Sequence, residues 1–383
     1  MSQNTSSVQG KSNKLSQPRR LATVRRIAAV PDFSRDLDLL MFDGWKVLAK
    51  KQFNFTDGEL VIFIQVDAFL PADSPFADTF SQVGSPLTEF QGTKGYRVGT
   101  QIVHNKERRR IFSQGHVFKL SAFPPAKHAV ETWQAKGQDI SQMDFTTNLR
   151  IRKWVQNDGD LAVSDTRPFP TFLIKTDISR LEDCPNLFKK DKYKRLIYQK
   201  SIKMDGASMT CYFVTANSKY FKLIGPASDP QHVNGHFGVC SKNKELNRAA
   251  NNIYWDMALS SNIDVKLQEL GRSIAIQGEL VGDGINGNPY AYPAGKHEFF
   301  VYSAIDIEKQ MRIRPREVEA LAKKLALKHV QVLGYETVRS KASCHQDLLD
   351  QADASQGEGL VFKCIADGRW FKALSRKWIT EKG

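Results

Sequence analysis

From Leu21 to Trp154 the apolar residues come in short, strand-length runs punctuated by turn signals. Trp45 to Lys50 follows Asp43-Gly44, Glu59 to Val66 follows Asp57-Gly58, and further β-prone runs lie from Tyr96 to Val103 and from Val117 to Leu120. Such spacing predicts a small barrel over residues 21–154. Residues 1–20 are Ser, Gln, Asn, Lys and Arg with almost nothing apolar, which predicts a flexible basic tail. Residues 155–168 are polar, contain Gly and Pro and carry no periodicity, so a linker is placed there. After it, residues 169–383 alternate strands with helices. Strands are expected up to Lys203, at Ser208 to Val214, Ser218 to Ile224, Ser273 to Gly282, His297 to Ile307 and Glu358 to Lys363, with a further run from Trp370 to Trp378. One helical pattern puts Leu246, Ala249 or Ala250, Ile253 and Met257 on one face, and another, Pro315 to Leu327, turns Val318, Leu321, Ala322 and Leu325 inward. The fold class is α+β.

Composition narrows this picture. With 383 residues and 41% apolar, the chain is long enough for two domains with ordinary cores. The five cysteines are scattered and form no C-x-x-C pair, which argues for a reducing compartment and against a cysteine-held metal. No apolar run approaches the ~20 residues of a membrane span. An intracellular protein without a membrane partner is expected, in cytoplasm or nucleus, and the Arg/Ser-rich, acid-poor start leaves an organelle transit peptide open. A net charge of +14 favours a polyanionic partner, above all nucleic acid.

The candidate chemistry starts at Lys203-Met204-Asp205-Gly206. A lysine closing one β-rich run, followed by an Asp-Gly turn and a second run, places an amine at a strand end; taken alone the pattern also fits a surface hairpin. In the barrel, Lys106-Glu107-Arg108-Arg109-Arg110 with Phe112 and His116 offers the cations and rings that single strands bind, or else a charged loop kept for solubility. His232 and His236 stand at i, i+4, but Asn234-Gly235 between them favours a solvated loop over zinc. Gly282 to Pro289 is glycine-rich without Gly-Lys-Ser/Thr and reads as a mobile loop beside a cleft, not a P-loop.

Taken in order, Lys203 to Gly206, Ser241-Lys242-Asn243, Glu279, the aromatic run Phe299 to Ile307, Glu358 with Lys363, and Lys372 with Lys377 resemble the collinear motifs of the covalent nucleotidyltransferases, the superfamily of ligases and RNA capping enzymes. Only Trp378 to Gly383 follow Lys377, the last lysine of that series, whereas a strand-rich barrel lies in front. That order, with Phe42-Asp43-Gly44-Trp45, Asp57 to Val61 and Phe169 to Asp177, resembles the ATP-dependent RNA ligases that carry an N-terminal OB-like domain and a C-terminal catalytic domain of antiparallel sheets flanked by helices, unrelated to the ATP-grasp fold. The likeness spans nearly everything from Leu21 onward. Met204 stands where leucine is usual, Lys242 where arginine is common, and Pro71 to Gly95 is an unusual insertion. Lysine for arginine weakens a bidentate contact.

The resemblance implies roles. Lys203 would take AMP from ATP, with Lys372 and Lys377 supporting the phosphate oxygens. Ile202, Asp205, Gly206, Lys242, Asn243, Glu279 and Glu358 would contact the nucleotide, and Phe300 or Tyr302 would stack on its base. A lysine of pKa ~10.4 is only about 0.1% neutral near neutral pH, so nearby cations must lower it. Asp205, Glu279 and Glu358 would therefore hold a hydrated Mg²⁺, or Mn²⁺, through its waters. Lys203 would then pass AMP to a 5′-phosphate end, and a 3′-OH would displace it. The expected partners are ATP and RNA, or a nicked duplex containing RNA, with the protein acting as a monomer. A GTP-using guanylyltransferase and a non-catalytic RNA-binding relative are the alternatives.

Overall fold

A computed structural model describes residues 19–82, 85–104, 110–154, 166–193, 195–224, 234–248 and 252–382. In the first domain one sheet orders the strands Ala22–Arg26, Leu60–Gln65, Arg110–Lys119 and Thr100–His104, and a second orders Arg152–Lys153, Ala68–Pro71, Thr93–Arg97 and Leu87–Phe90. The hairpin Leu37–Phe42/Trp45–Lys50 turns at Asp43, whose φ of 51° suits an Asp-Gly turn. Leu60–Gln65 reads as a continuous apolar run because both of its faces are covered. Ile62 and Ile64 join one core with Leu70, Phe76 and Phe80, while Val61 and Phe63 join another with Trp45 and Val47.

The insertion at 71–95 is part of this barrel. Phe76 stacks on Phe118 at 4.1 Å, Phe80 stacks on Tyr96 at 5.9 Å, and two of its strands complete the second sheet. Of the expected cationic loop, residues 105–109 lie outside the described residues. Its two rings are half-buried. His116 sits edge-on to Phe80 at 4.5 Å, where burial pulls its pKa down to about 4, and Phe112 lies 6.0 Å under Arg376 of the second domain.

The second domain faces two sheets across a cleft. In the larger sheet the order is Thr166–Pro168, Lys244–Leu246, Gly235–Cys240, Ala207–Thr215, Ile274–Gly282, His297–Asp306 and Met311–Arg312, with Lys328–His329 paired beside His297–Asp306. The smaller orders Ser179–Arg180, Trp370–Leu374, Gly359–Cys364, Ile197–Lys203 and Val332–Thr337. The helix Pro315–Lys324 buries Val318, Leu321 and Ala322 as its spacing predicts, with Leu325 just beyond it. Other expectations shift. Ser218 to Ile224 is a turn with a short 3₁₀ segment at Phe221–Leu223, not a strand. Lys244–Leu246 is a strand, and the helix begins only at Ile253, capped by the Asn252 side chain on the Tyr254 and Trp255 N–H groups. Asn252 thus supplies the start signal that apolar spacing from Leu246 obscures. His236 lies buried on the strand Gly235–Cys240, 5.9 Å from the Tyr212 ring, so it is neither a helix ligand nor a loop residue. His232 lies outside the described residues. No helix among the described residues is long and apolar enough to cross a membrane.

The domains meet along residues 177–184. Asp183 accepts from Arg25, Trp45 and Gln65 of the barrel, at 3.2, 3.3 and 2.8 Å. Arg180 bonds Asp67 at 2.9 Å, Arg19 joins the same carboxylate at 3.2 Å, and Lys153 pairs with Asp177 at 2.7 Å.

Candidate active site

Lys203 is the last residue of its strand, opposite Gly359, and the chain then crosses from the smaller sheet to the larger through Met204–Gly206. This crossing brings groups from both sheets around one amine. Gly206 permits it, because a Cβ there would stand 2.4 Å from the Leu280 carbonyl oxygen. Gly357 does the same for Glu358, since a Cβ at 357 would stand 2.5 Å from the Lys203 carbonyl oxygen.

Lys203 Nζ donates to Glu358 Oε2. Burial works against the ammonium, but Glu358, Glu279 and Asp205 outweigh it and hold the lysine pKa above its ordinary value. Glu279 comes from the facing sheet, opposite Ser208 and Phe300. Burial, with Glu358 adding to it, pushes its pKa up to about 7 against the pull of Lys203. Lys372, opposite Val361, is driven well below its ordinary value by burial and by the charges of Lys203, Arg180 and Lys153. Lys363 is buried too, and burial brings it down to about 7; its Nζ donates to the Tyr302 carbonyl at 2.7 Å and lies over the Trp370 ring at 5.0 Å. A strongly paired lysine thus stands among carboxylates short of positive charge and amines short of negative charge, an arrangement suited to a bound polyphosphate.

Asp205 differs from the two glutamates. Its Oδ2 accepts from Trp378 Nε1 at 2.8 Å and its Oδ1 from Asn286 Nδ2 at 2.9 Å, while its own N–H donates to the Tyr290 hydroxyl at 2.8 Å. The loop Gly282 to Pro289 therefore borders the cleft as expected, gripping the turn after Lys203. Among the described residues no three acidic, His or Cys side chains are grouped so as to hold a metal directly. The charges of Asp205, Glu279 and Glu358 all act on Lys203, as expected of a trio around one amine, with the Asp205 oxygens bonded to Trp378 and Asn286.

Phe300 and Tyr302 share the cleft face, the former directly opposite Glu279, the latter hydrogen-bonded through its hydroxyl to Ser208 Oγ at 3.2 Å. Phe300 lies 5.5 Å from Lys328 Nζ. Lys242 and Asn243 occupy the turn between Gly235–Cys240 and Lys244–Leu246; Lys242 is exposed, and its charge reaches Glu279 and Lys153. Ile202 donates its N–H to the Gln331 carbonyl at 2.9 Å and packs into the core beneath the smaller sheet. Lys377 is exposed on the first turn of the helix Arg376–Lys382, and its neighbour Trp378 reaches into the site at Asp205. Trp378, Asn286, Tyr290, Arg180 and Lys153 escape sequence reasoning. For the first three the only signals are adjacency to Lys377 for Trp378, membership of the glycine-rich loop for Asn286 and adjacency to that loop for Tyr290.

The family pattern described as RNA ligase matches residues 197–374, and that of an OB-fold domain matches residues 21–120. Solved structures of Naegleria gruberi RNA ligase superpose on nearly the whole chain. A variant without ligand gives a TM-score of 0.74 at 26% identity over 95% of this chain and 98% of that one. The same enzyme with PPi, and a variant of it with AMP and Mn, each give 0.73 at 26% identity over 95% and 99%. No curated protein sequence matches the chain. Barrel in front, cleft behind, and Lys203 where the two sheets cross place this chain among the ATP-dependent RNA ligases, the covalent nucleotidyltransferases that carry an OB domain ahead of the catalytic one.

Proposed function

We propose that this ligase joins a 3′-OH to a 5′-phosphate in RNA, at nicks whose 3′-OH strand is RNA, through a lysyl-AMP at Lys203. In the first step Lys203 Nζ forms a bond to the α-phosphorus of ATP as the bond to pyrophosphate breaks, and the amine proton leaves. AMP then passes to an oxygen of the 5′-phosphate, freeing the amine. In the last step the 3′-OH attacks that phosphate and AMP departs. The observation that carries this reading is the ion pair of Lys203 with Glu358, flanked by Glu279 and Lys372.

Spacing in the related enzyme supports the roles. Solved variants of the Naegleria gruberi ligase change a lysine and the aspartate two positions after it, and a glutamate and the lysine fourteen positions after it. Lys203 with Asp205, and Glu358 with Lys372, stand at the same separations.

A protonated Lys203 is no nucleophile, so the carboxylates that hold its proton must acquire another positive partner. Glu279 and Glu358 fit a hydrated Mg²⁺ or Mn²⁺, which prefers oxygen and keeps its waters; when bound, the ion neutralises charge on the α-phosphate. Lys372, held short of negative charge, gains most from a phosphate oxygen beside it. Asp205, fixed by Trp378 and Asn286, keeps the turn that aims Lys203. Phe300, half-buried opposite Glu279, is the ring placed to cover the adenine, and Tyr302 lies behind it with its hydroxyl on Ser208.

The test is covalent transfer of an α-phosphate radiolabel from ATP to the protein, stable to alkali and released by acid as a phosphoramidate is, with Lys203→Ala as the negative variant. Labelling that persists in that variant removes Lys203 as nucleophile, and labelling from GTP in place of ATP selects the guanylyltransferase. Nicked duplexes differing only in RNA or DNA on the 3′-OH strand then test the substrate.

A further inference from the structure

We propose that a bowl on the barrel domain, rimmed by Lys94, Arg150 and Arg152, seats the sugar-phosphate backbone of the RNA strand beside the break; this rests on the RNA-ligase reading. The bowl has a volume of about 640 Å³, with Pro71, Asp73, Thr93 and Thr147 also on its wall. Three cations against one acid give it a positive floor. The acid is Asp73, paired with Arg150 at 2.7 Å, and both side chains are well exposed, so water screens that pair and a phosphate can replace it.

Arg152 is held in place for this task. Its Nη2 donates to the Phe90 carbonyl at 3.1 Å, and the guanidinium lies 5.2 Å from the Phe69 ring and 5.5 Å from Phe90. The aromatic layer continues to Trp154, 4.8 Å from Phe90, with the Arg97 guanidinium 5.5 Å over its indole. Trp154 is only half-buried and Arg97 is exposed. Cations along a groove beside a partly open ring are what a single strand needs, phosphates for the first and a base for the second.

The position of the bowl links it to the cleft. Side chains alternate along an extended segment, so Arg152 and Trp154 face one way and Lys153 the other. Lys153 reaches Asp177 at 2.7 Å, and its charge is one of those that depress Lys372. The segment that lines the bowl through Arg152 thus turns its next residue, Lys153, toward Asp177 and the second domain.

The experiment measures binding of a fluorescein-labelled single-stranded RNA to the full chain by anisotropy across a salt series, alongside radiolabelling from ATP. The double variant Lys94→Ala/Arg150→Ala should bind about tenfold more weakly, and its log–log salt slope should flatten by about 1.4, since each phosphate contact to a single strand contributes about 0.7. Labelling from ATP should match wild type, which also certifies the fold. Lys94→Glu alone, at an exposed position, should act in the same direction. Lys127→Ala/Lys136→Ala removes equal charge from the helix Pro124–Ala135 and its C-cap, and should leave RNA binding as it is. Wild-type affinity in the first variant, or equal weakening in the last, overturns the seat while leaving the ligase reading intact. Failure of the wild-type protein to take label from ATP overturns the ligase reading instead.

Discussion

Two buried clusters of charge lie close together in this molecule, and they are built on opposite terms. At the domain junction the central charges are paired, although burial still pushes Glu182 up and Arg19 down. Asp183 takes three donors from the barrel, and Arg180 and Arg19 share Asp67, whose carboxyl is held below the usual range because these arginines overcome the cost of its burial. Arg180 in turn stays above its ordinary value, since Asp67, Glu182 and Asp183 overcome its own burial. In the cleft the balance is left open. Glu279 rises to about 7, Lys363 falls to about 7 and Lys372 is depressed further, while Lys203 alone is over-satisfied by carboxylates. A cluster whose members stabilise one another's charges holds domains together. One whose members are pushed toward neutrality awaits a ligand that brings the missing charge.

The sharpest way to break this comparison is at Lys203. Lys203→Ala should abolish covalent labelling from ATP while the variant melts close to wild type. Next in size is the junction: Asp183→Ala removes the acceptor shared by Arg25, Trp45 and Gln65, leaving Arg25 only Asp43 and Thr23, and should cost about 3 kcal/mol of stability, read by urea unfolding. Labelling per folded molecule should hardly change, and a large loss of labelling with little loss of stability would reverse the roles assigned to the two clusters.

A smaller effect concerns pH. The carboxylates favour the protonated amine, so the labelling rate should climb with pH as the neutral amine forms. Glu279→Gln removes one of the charges holding that proton, lowers the lysine pKa, and should move the rising limb to lower pH by about one unit even as the maximum falls. A limb that stays in place, measured at saturating ATP, would mean Glu279 does not govern the amine. Smallest is Trp378→Phe. It keeps the ring beside Tyr290 but deletes a hydrogen bond to a carboxylate, about 1.5–3 kcal/mol, and labelling should slow about tenfold. Unchanged labelling in that variant would leave Asp205 without need of the C-terminal helix.

How far these clusters can be read without coordinates depends on how local their causes are. The Asp43-Gly44 hairpin and the helix Pro315–Lys324 are legible because a turn residue and a 3.6-residue period act over a few positions. The order of Lys203, Glu279, Glu358 and Lys372 is legible because each chemical group sits at the end or in the middle of a recognisable strand. Lys377 shows the limit: its spacing after Lys372 continues the pattern, yet the chain leaves the strand at Leu374 and the helix that follows points this lysine to solvent.

The sequence by itself determined the two-domain α+β plan, the barrel in front, the basic charge and the amine at Lys203. Only the tertiary structure decided which partners that amine and its neighbours keep. Trp378 reaches Asp205 across 173 positions, Tyr290 reaches the same residue across 85, and Arg180 meets Asp67 across 113. The reason is physical: hydrophobic periodicity dictates which face a residue buries, whereas the pairing of a buried charge depends on which other segments the folded sheets bring within a few ångströms. The insertion at 71–95 makes the same point in apolar form, because Phe76 and Phe80 look like ornament along the chain and become core only against Phe118 and Tyr96.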